Sequence, residues 1–205
     1  MASITGISEW HRGGVPGAEA GPGAPWAVVI PGMGYTAVHP LLFWASTALV
    51  QDGWRVLTVQ WDTTGIELPQ DLDAGAALVE DAWSAARTHI PGGRAPDLLV
   101  GKSLGTLAAG SALAAGADVV ALTPLLAQGH ARRYPQVPAG RRVLAVGGTA
   151  DTLWDADAAR ELGDAVVEVP GGDHSLQLRG HWRESLRTVE RVTGAVQEFA
   201  AARRV

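Results

Sequence analysis

Trp26-Ala27-Val28-Val29-Ile30 is five apolar residues in a row, closed at once by Pro31-Gly32. A strand with one wet face alternates apolar and polar residues. A run without alternation is buried on both faces, as in a parallel sheet covered by helices. Residues 55–61 alternate into a second strand, and further short runs at 97–100, 119–122, 142–146 and 165–169 read as strands. Between them lie stretches with helical spacing, at 39–51, 71–89, 104–115, 155–162 and 181–202. Their apolar positions include Leu42, Ala45, Leu49 and Val50; Leu72, Ala76, Val79, Trp83 and Ala86; and Leu186, Val189, Val192, Val196 and Phe199. Strands alternating with helices predict an α/β fold, a mostly parallel sheet of about six to seven strands flanked by helices. Residues 26–205 read as a single α/β domain. Residues 1–25 read as an N-terminal arm or edge strand, with Ser3 to Trp10 as the strand and Gly13 to Pro25 as a Gly/Pro-rich loop.

Composition narrows the function classes. The length of 205 residues suits one compact domain, and 47% hydrophobic against 18% charged residues supplies a core. The absence of cysteine excludes disulfides, a cysteine nucleophile and Cys-based metal sites. A net charge of −5 argues against a nucleic-acid partner. No run reaches the ~18–20 apolar residues that span a bilayer, and no leader pattern is evident. The expectation is a cytoplasmic protein without membrane contact. The Ala, Gly and Arg bias reads as GC-rich codon usage; Lys102 is the single lysine.

In a parallel α/β sheet the chemistry sits at the carboxyl ends of the strands. One of those ends carries Gly101-Lys102-Ser103-Leu104-Gly105, with a helix following directly. This G-x-S-x-G lies in the strand–turn–helix setting that gives it meaning. A serine there takes a strained backbone conformation, and glycines two residues either side remove the clashes that side chains would make. The turn lifts the Ser103 hydroxyl off the sheet. It also sets the Leu104 N–H at a helix N-terminus, where developing negative charge is favoured.

A hydroxyl nucleophile needs a base, and the base needs an orienting acid. His174 follows the run at 165–169 and Asp151 follows the run at 142–146. His39 and His130 are weaker alternatives for the base. Asp155, Asp157 and Asp173 compete with Asp151, although Asp155 is placed to cap a helix and Asp173 adjoins His174 too closely to orient its ring. The loop Pro31-Gly32-Met33-Gly34-Tyr35 is the expected source of a second oxyanion donor, Met33 N–H first and Gly34 second. Gly34, Tyr35, Trp61, Lys102 and Trp154 are candidate pocket residues. Lys102 reads either as an ion-pair tether to Asp62 or Asp151, or as a charge favouring anionic substrates. No metal or organic cofactor is implied.

Gly32-Met33-Gly34, Gly101-Lys102-Ser103-Leu104-Gly105, Asp151 and His174, in that order, resemble the α/β-hydrolase superfamily. The resemblance spans about 26–202, and within the superfamily the chain is similar to small, lidless members related to dienelactone hydrolases and to uncharacterised bacterial hydrolases. This chain has Ser103 where dienelactone hydrolases carry cysteine, and Pro31 where many members carry histidine. The resemblance implies a lidless α/β-hydrolase fold, because the interval between Leu122 and Arg142 is too short for a large cap. It implies a serine hydrolase acting on a small-molecule ester or thioester. The rival expectations are a catalytically inactive small-molecule binding or interaction protein of the same fold, and an acyltransferase.

Overall fold

The structure is a computed structural model that describes residues 2–11, 20, 21, 23–67 and 71–203. Most of the Gly/Pro-rich loop expected over 13–25 lies outside the described residues. Seven strands form one sheet: β1 (Ser3–Glu9), β2 (Trp26–Ile30), β3 (Arg55–Asp62), β4 (Leu98–Lys102), β5 (Asp118–Leu122), β6 (Val143–Gly148) and β7 (Ala165–Val169). Their order is β1-β3-β2-β4-β5-β6-β7. Only β1 is antiparallel, pairing with β3 along the sheet edge; the other six run parallel. The helices are α1 (Pro40–Gln51), α2 (Leu72–Thr88), α3 (Ala109–Ala114), α4 (Ala156–Leu162) and α5 (Trp182–Ala201).

The non-alternating runs are buried on both faces. In β2, Trp26, Val28 and Ile30 enter a core beneath α2, α3 and α4, whose inward residues include Val79, Trp83, Ala112 and Leu162. Ala27 and Val29 enter the opposite core, with Leu42, Leu49, Val192 and Phe199 of α1 and α5. Every residue of β2, β4 and β5 is buried.

Three sequence expectations shift. The helix expected over 104–115 is a 3₁₀ segment, Ser103–Ala108, followed by α3. Tight winding is common where a helix begins, and here Gly105 is pressed against the end of β2. On α2 the inward stripe includes Gly75, Leu78 and Ala82, while Ala76 is only half-buried. Gly75 lets that helix approach: a Cβ there would lie 2.8 Å from Leu104 Cδ1. Leu186 keeps the spacing of its helix yet is 60% exposed, in an open groove between α5 and the Pro40 and Trp44 side chains of α1.

The chain leaves β2 for β3 on one side and later returns to β4 on the other, so the direction of winding reverses between β2 and β4. Crevices form at the carboxyl ends of strands flanking such a reversal. Ile30 pairs with Gly101 there, which brings the Gly32 turn beside Ser103. Between β5 and β6, residues 123–142 hold one 3₁₀ turn, His130–Arg133, and no inserted cap. Among the described residues, no helix is long and apolar enough to cross a membrane.

Gly105 is the tightest point of this junction. A Cβ there would strike the carbonyl oxygens of Ile30 and Pro31, which are backbone and cannot swing away. Gly105→Ala should therefore lower stability by about 3 kcal/mol or more, the upper range for overpacking. A denaturant titration showing a reduced midpoint at unchanged slope checks this.

Candidate active site

Ser103 sits at the end of β4 with φ +51, in the left-handed region that non-glycine residues seldom enter. Its neighbours hold it there. Thr106 Oγ1 donates to the Ser103 carbonyl at 2.6 Å and also bonds the Tyr134 hydroxyl at 2.6 Å. That hydroxyl accepts in turn from Leu125 N–H at 3.0 Å. Burial pushes the Tyr134 phenol up to about 12, so it remains protonated. A buried polar chain thus ties the segment after β5 to the backbone of the serine turn.

His174 Nε2 lies 2.8 Å from Ser103 Oγ, and His174 Nδ1 lies 2.7 Å from Asp151 Oδ2. A carboxylate only accepts, which assigns the Nδ1 proton to the bond with Asp151 and leaves Nε2 to accept from the serine hydroxyl. The second Asp151 oxygen accepts from Leu153 N–H at 2.9 Å, and its side chain is 1% exposed. The rival acids are engaged elsewhere. Asp155 Oδ1 caps α4 by accepting from Asp157 and Ala158 N–H. Asp173 Oδ1 accepts from Ser175 and Gln177 N–H within the His174 loop. Asp157 pairs with Arg160 on the surface. Of the other histidines, His39 accepts from Thr36 N–H through Nδ1 and stacks on Tyr35, and His130 belongs to the 3₁₀ turn after β5.

The loops after β6 and β7 are bound to each other. Ala150 N–H donates to Gly172 O, Thr149 N–H to Val169 O, and Gly171 N–H to Thr149 Oγ1. Gly32 and Tyr35 close a turn with paired main-chain bonds of 3.1 and 3.4 Å, and Gly34 takes φ +67 within it. A Cβ on Gly32 would lie 3.1 Å from Ser103 Cβ, so this turn abuts the serine. Met33 is 38% exposed at its tip. The Leu104 N–H belongs to the first turn of the 3₁₀ segment, among the donors that a helix start leaves unpaired.

The remaining expected residues divide. Trp61 is half-buried and donates to Gly32 O at 3.3 Å, bracing the turn. Trp154 lies over the Gly147 backbone and donates to Glu168 at 2.9 Å, between β6 and β7. Tyr35 is buried, and its hydroxyl accepts from Leu41 N–H at the start of α1. Lys102 makes neither expected ion pair. Among the described residues its ammonium bonds the main-chain carbonyl of His174 at 2.9 Å, while Asp62 is occupied by Thr64. The cause is direction: successive residues of β4 point to opposite faces, and that of Lys102 leads under the His174 loop.

Sequence reasoning missed Thr106 and Tyr134, whose link spans 28 positions and leaves no local pattern. It also missed Thr123, one step beyond Leu122, which pairs with Lys102 in register. Thr123 has φ +45, is fully buried and has no partner for its hydroxyl among the described residues.

No known-family model and no curated protein matches this chain. Solved structures do. An α/β serine hydrolase homologue from Coxiella burnetii is 16% identical, with a TM-score of 0.64 over 95% of this chain and 96% of that one. A lidless α/β serine hydrolase from Xanthomonas campestris is 17% identical, with a TM-score of 0.53 over 87% and 85%. A dienelactone hydrolase from Anabaena variabilis is 20% identical, with a TM-score of 0.55 over 82% and 86%. The chain has the α/β-hydrolase fold, in a small form without a lid.

Tyr134→Phe should leave Leu125 N–H and one Thr106 bond unmet in a buried place, lowering stability by about 1–3 kcal/mol. Urea unfolding of the two proteins measures that difference.

Proposed function

We propose that this protein is a serine hydrolase that cleaves a small-molecule carboxylic ester or thioester through an acyl-enzyme on Ser103. The observation that carries the reading is the unbroken chain from Ser103 Oγ through the His174 ring to Asp151, at 2.8 and 2.7 Å. These distances suit proton transfer from a hydroxyl to a base held by an acid.

In the proposed reaction Ser103 Oγ attacks the substrate carbonyl carbon as its proton passes to His174 Nε2. Asp151 keeps the ring in the required tautomer and stabilises the imidazolium. The carbonyl oxygen gains negative charge, which the N–H groups of Leu104 and Met33 are suited to meet. His174 returns the proton to the leaving alcohol or thiol as the C–O or C–S bond breaks. Water then attacks the acyl carbon as its proton passes to His174, and His174 returns that proton to Ser103 Oγ as the Oγ–C bond breaks, releasing the acid and free Ser103. The strained backbone at Ser103 supports the same reading, since strain at a strand end is maintained only where the surroundings enforce it.

A fluorophosphonate probe should label Ser103 in the native protein and fail in Ser103→Ala and in heat-unfolded protein. Asp151→Asn should lower kcat on short aryl esters by about four orders of magnitude, because the amide favours the wrong ring tautomer. A folded protein that neither labels nor turns over any ester or thioester in an acyl-chain series overturns the proposal.

A further inference from the structure

Lys102 is the single lysine of the chain and is 2% exposed, one residue before Ser103. Along β4 it shares the α1/α5 face with Leu98 and Val100, opposite Leu99. That is an unfavourable place for an ammonium. Its contacts are specific. Nζ donates to His174 O at 2.9 Å and stands 4.8 Å from the centre of the Tyr35 ring. Its Cδ lies 3.1 Å from where a Cβ on Gly32 would be. One side chain therefore touches the Gly32–Tyr35 turn and the His174 loop while its backbone carries the serine.

We infer that Lys102 is a positioning residue: its ammonium, held between the Tyr35 ring and the His174 carbonyl, clamps the His174 loop against the serine turn and keeps Nε2 on Ser103 Oγ. The inference rests on the hydrolase reading above. A charge-assisted bond is stronger than a neutral one, and an ammonium over an aromatic face gains further attraction. Among the described residues, Lys102 makes the one side-chain bond from β4 to the main chain of the His174 loop. Among the described residues, the other hydrogen bonds of the loop run within it through Asp173 or sideways to the β6 loop, apart from the His174 ring's own bond to Ser103.

Stability alone does not explain a lysine here. The groups facing it are Tyr35 after β2, Asp151 after β6, and Asp173 and His174 after β7; the two aspartates favour the ammonium. Burial outweighs them and pulls the lysine from 10.5 down to about 8. The folded state thus binds this proton less tightly than the unfolded chain does. Lys102 lowers stability below pH about 8, and that penalty is relieved as pH rises toward 10.5.

The test uses Lys102→Met and Lys102→Cys in the full chain. Because the protein has no cysteine, the introduced thiol is unique. It is alkylated in denaturant with 2-bromoethylamine, which restores a lysine-like ammonium, or with iodoacetamide, which does not, and each product is refolded. With p-nitrophenyl acetate, kcat of Lys102→Met should fall about 10–100-fold with KM little changed, the scale of a misplaced base. Its melting temperature at pH 7 should match or exceed that of the parent. The aminoethylated protein should recover most of kcat and the carboxamidomethylated one should not. Parental kcat in Lys102→Met, or equal kcat in the two alkylated proteins, overturns the clamp. Fluorophosphonate labelling of the parent separates the two readings: a labelled parent with unaffected variants rejects only the clamp, whereas an unlabelled, inactive parent rejects the hydrolase reading and the clamp with it.

Discussion

The close approach of the 3₁₀ segment to the end of β2 sets the geometry of the whole carboxyl edge. Gly105 meets the carbonyls of Ile30 and Pro31, and a Cβ on Gly101 would lie 2.7 Å from the Gly105 carbonyl oxygen. With backbone against backbone on both sides, the chain between those glycines has little room to relax, and Ser103 is held at positive φ. The same contact brings the Gly32 turn beside the serine. The two loops that would supply oxyanion donors are therefore fixed by the packing that fixes the proposed nucleophile.

Polar groups in this region are buried in a graded way. Asp151 is satisfied by His174 and Leu153, and the Ser103 carbonyl by Thr106 and through it Tyr134. A fully paired network of this kind rigidifies its surroundings. Lys102 and Thr123 differ. The first keeps its charge against the pull of burial, and the second keeps a hydroxyl without a partner among the described residues. Both lie at the strand ends beside Ser103, on β4 and just past β5. Departures from simple core chemistry thus gather where the reaction is proposed, as expected where function and stability pull apart.

The sequence made the sheet legible because its central strands, β2, β4, β5 and β6, are buried on both faces and carry apolar runs without alternation. The positions of Ser103, Asp151 and His174 were legible because each follows a strand, and strand ends on one edge converge in three dimensions. The structure joins all three by hydrogen bonds. What stayed hidden depends on main-chain partners or distant pairs. The Lys102 ammonium finds a carbonyl 72 residues away, which no side-chain pattern encodes. Leu186 satisfies helical spacing but faces an open groove beside α1, since periodicity gives a face and not what covers it. Gly75 was invisible as a core position because its contribution is space for Leu104.

The central claim is an acyl-enzyme on Ser103. Acid-quenching the protein during turnover of p-nitrophenyl acetate, followed by peptide mass mapping, tests it most directly. An acetyl group is expected on the peptide containing Ser103, absent from Ser103→Ala, whose turnover is lost. Parental turnover in Ser103→Ala, with no adduct at residue 103 in either protein, would contradict it.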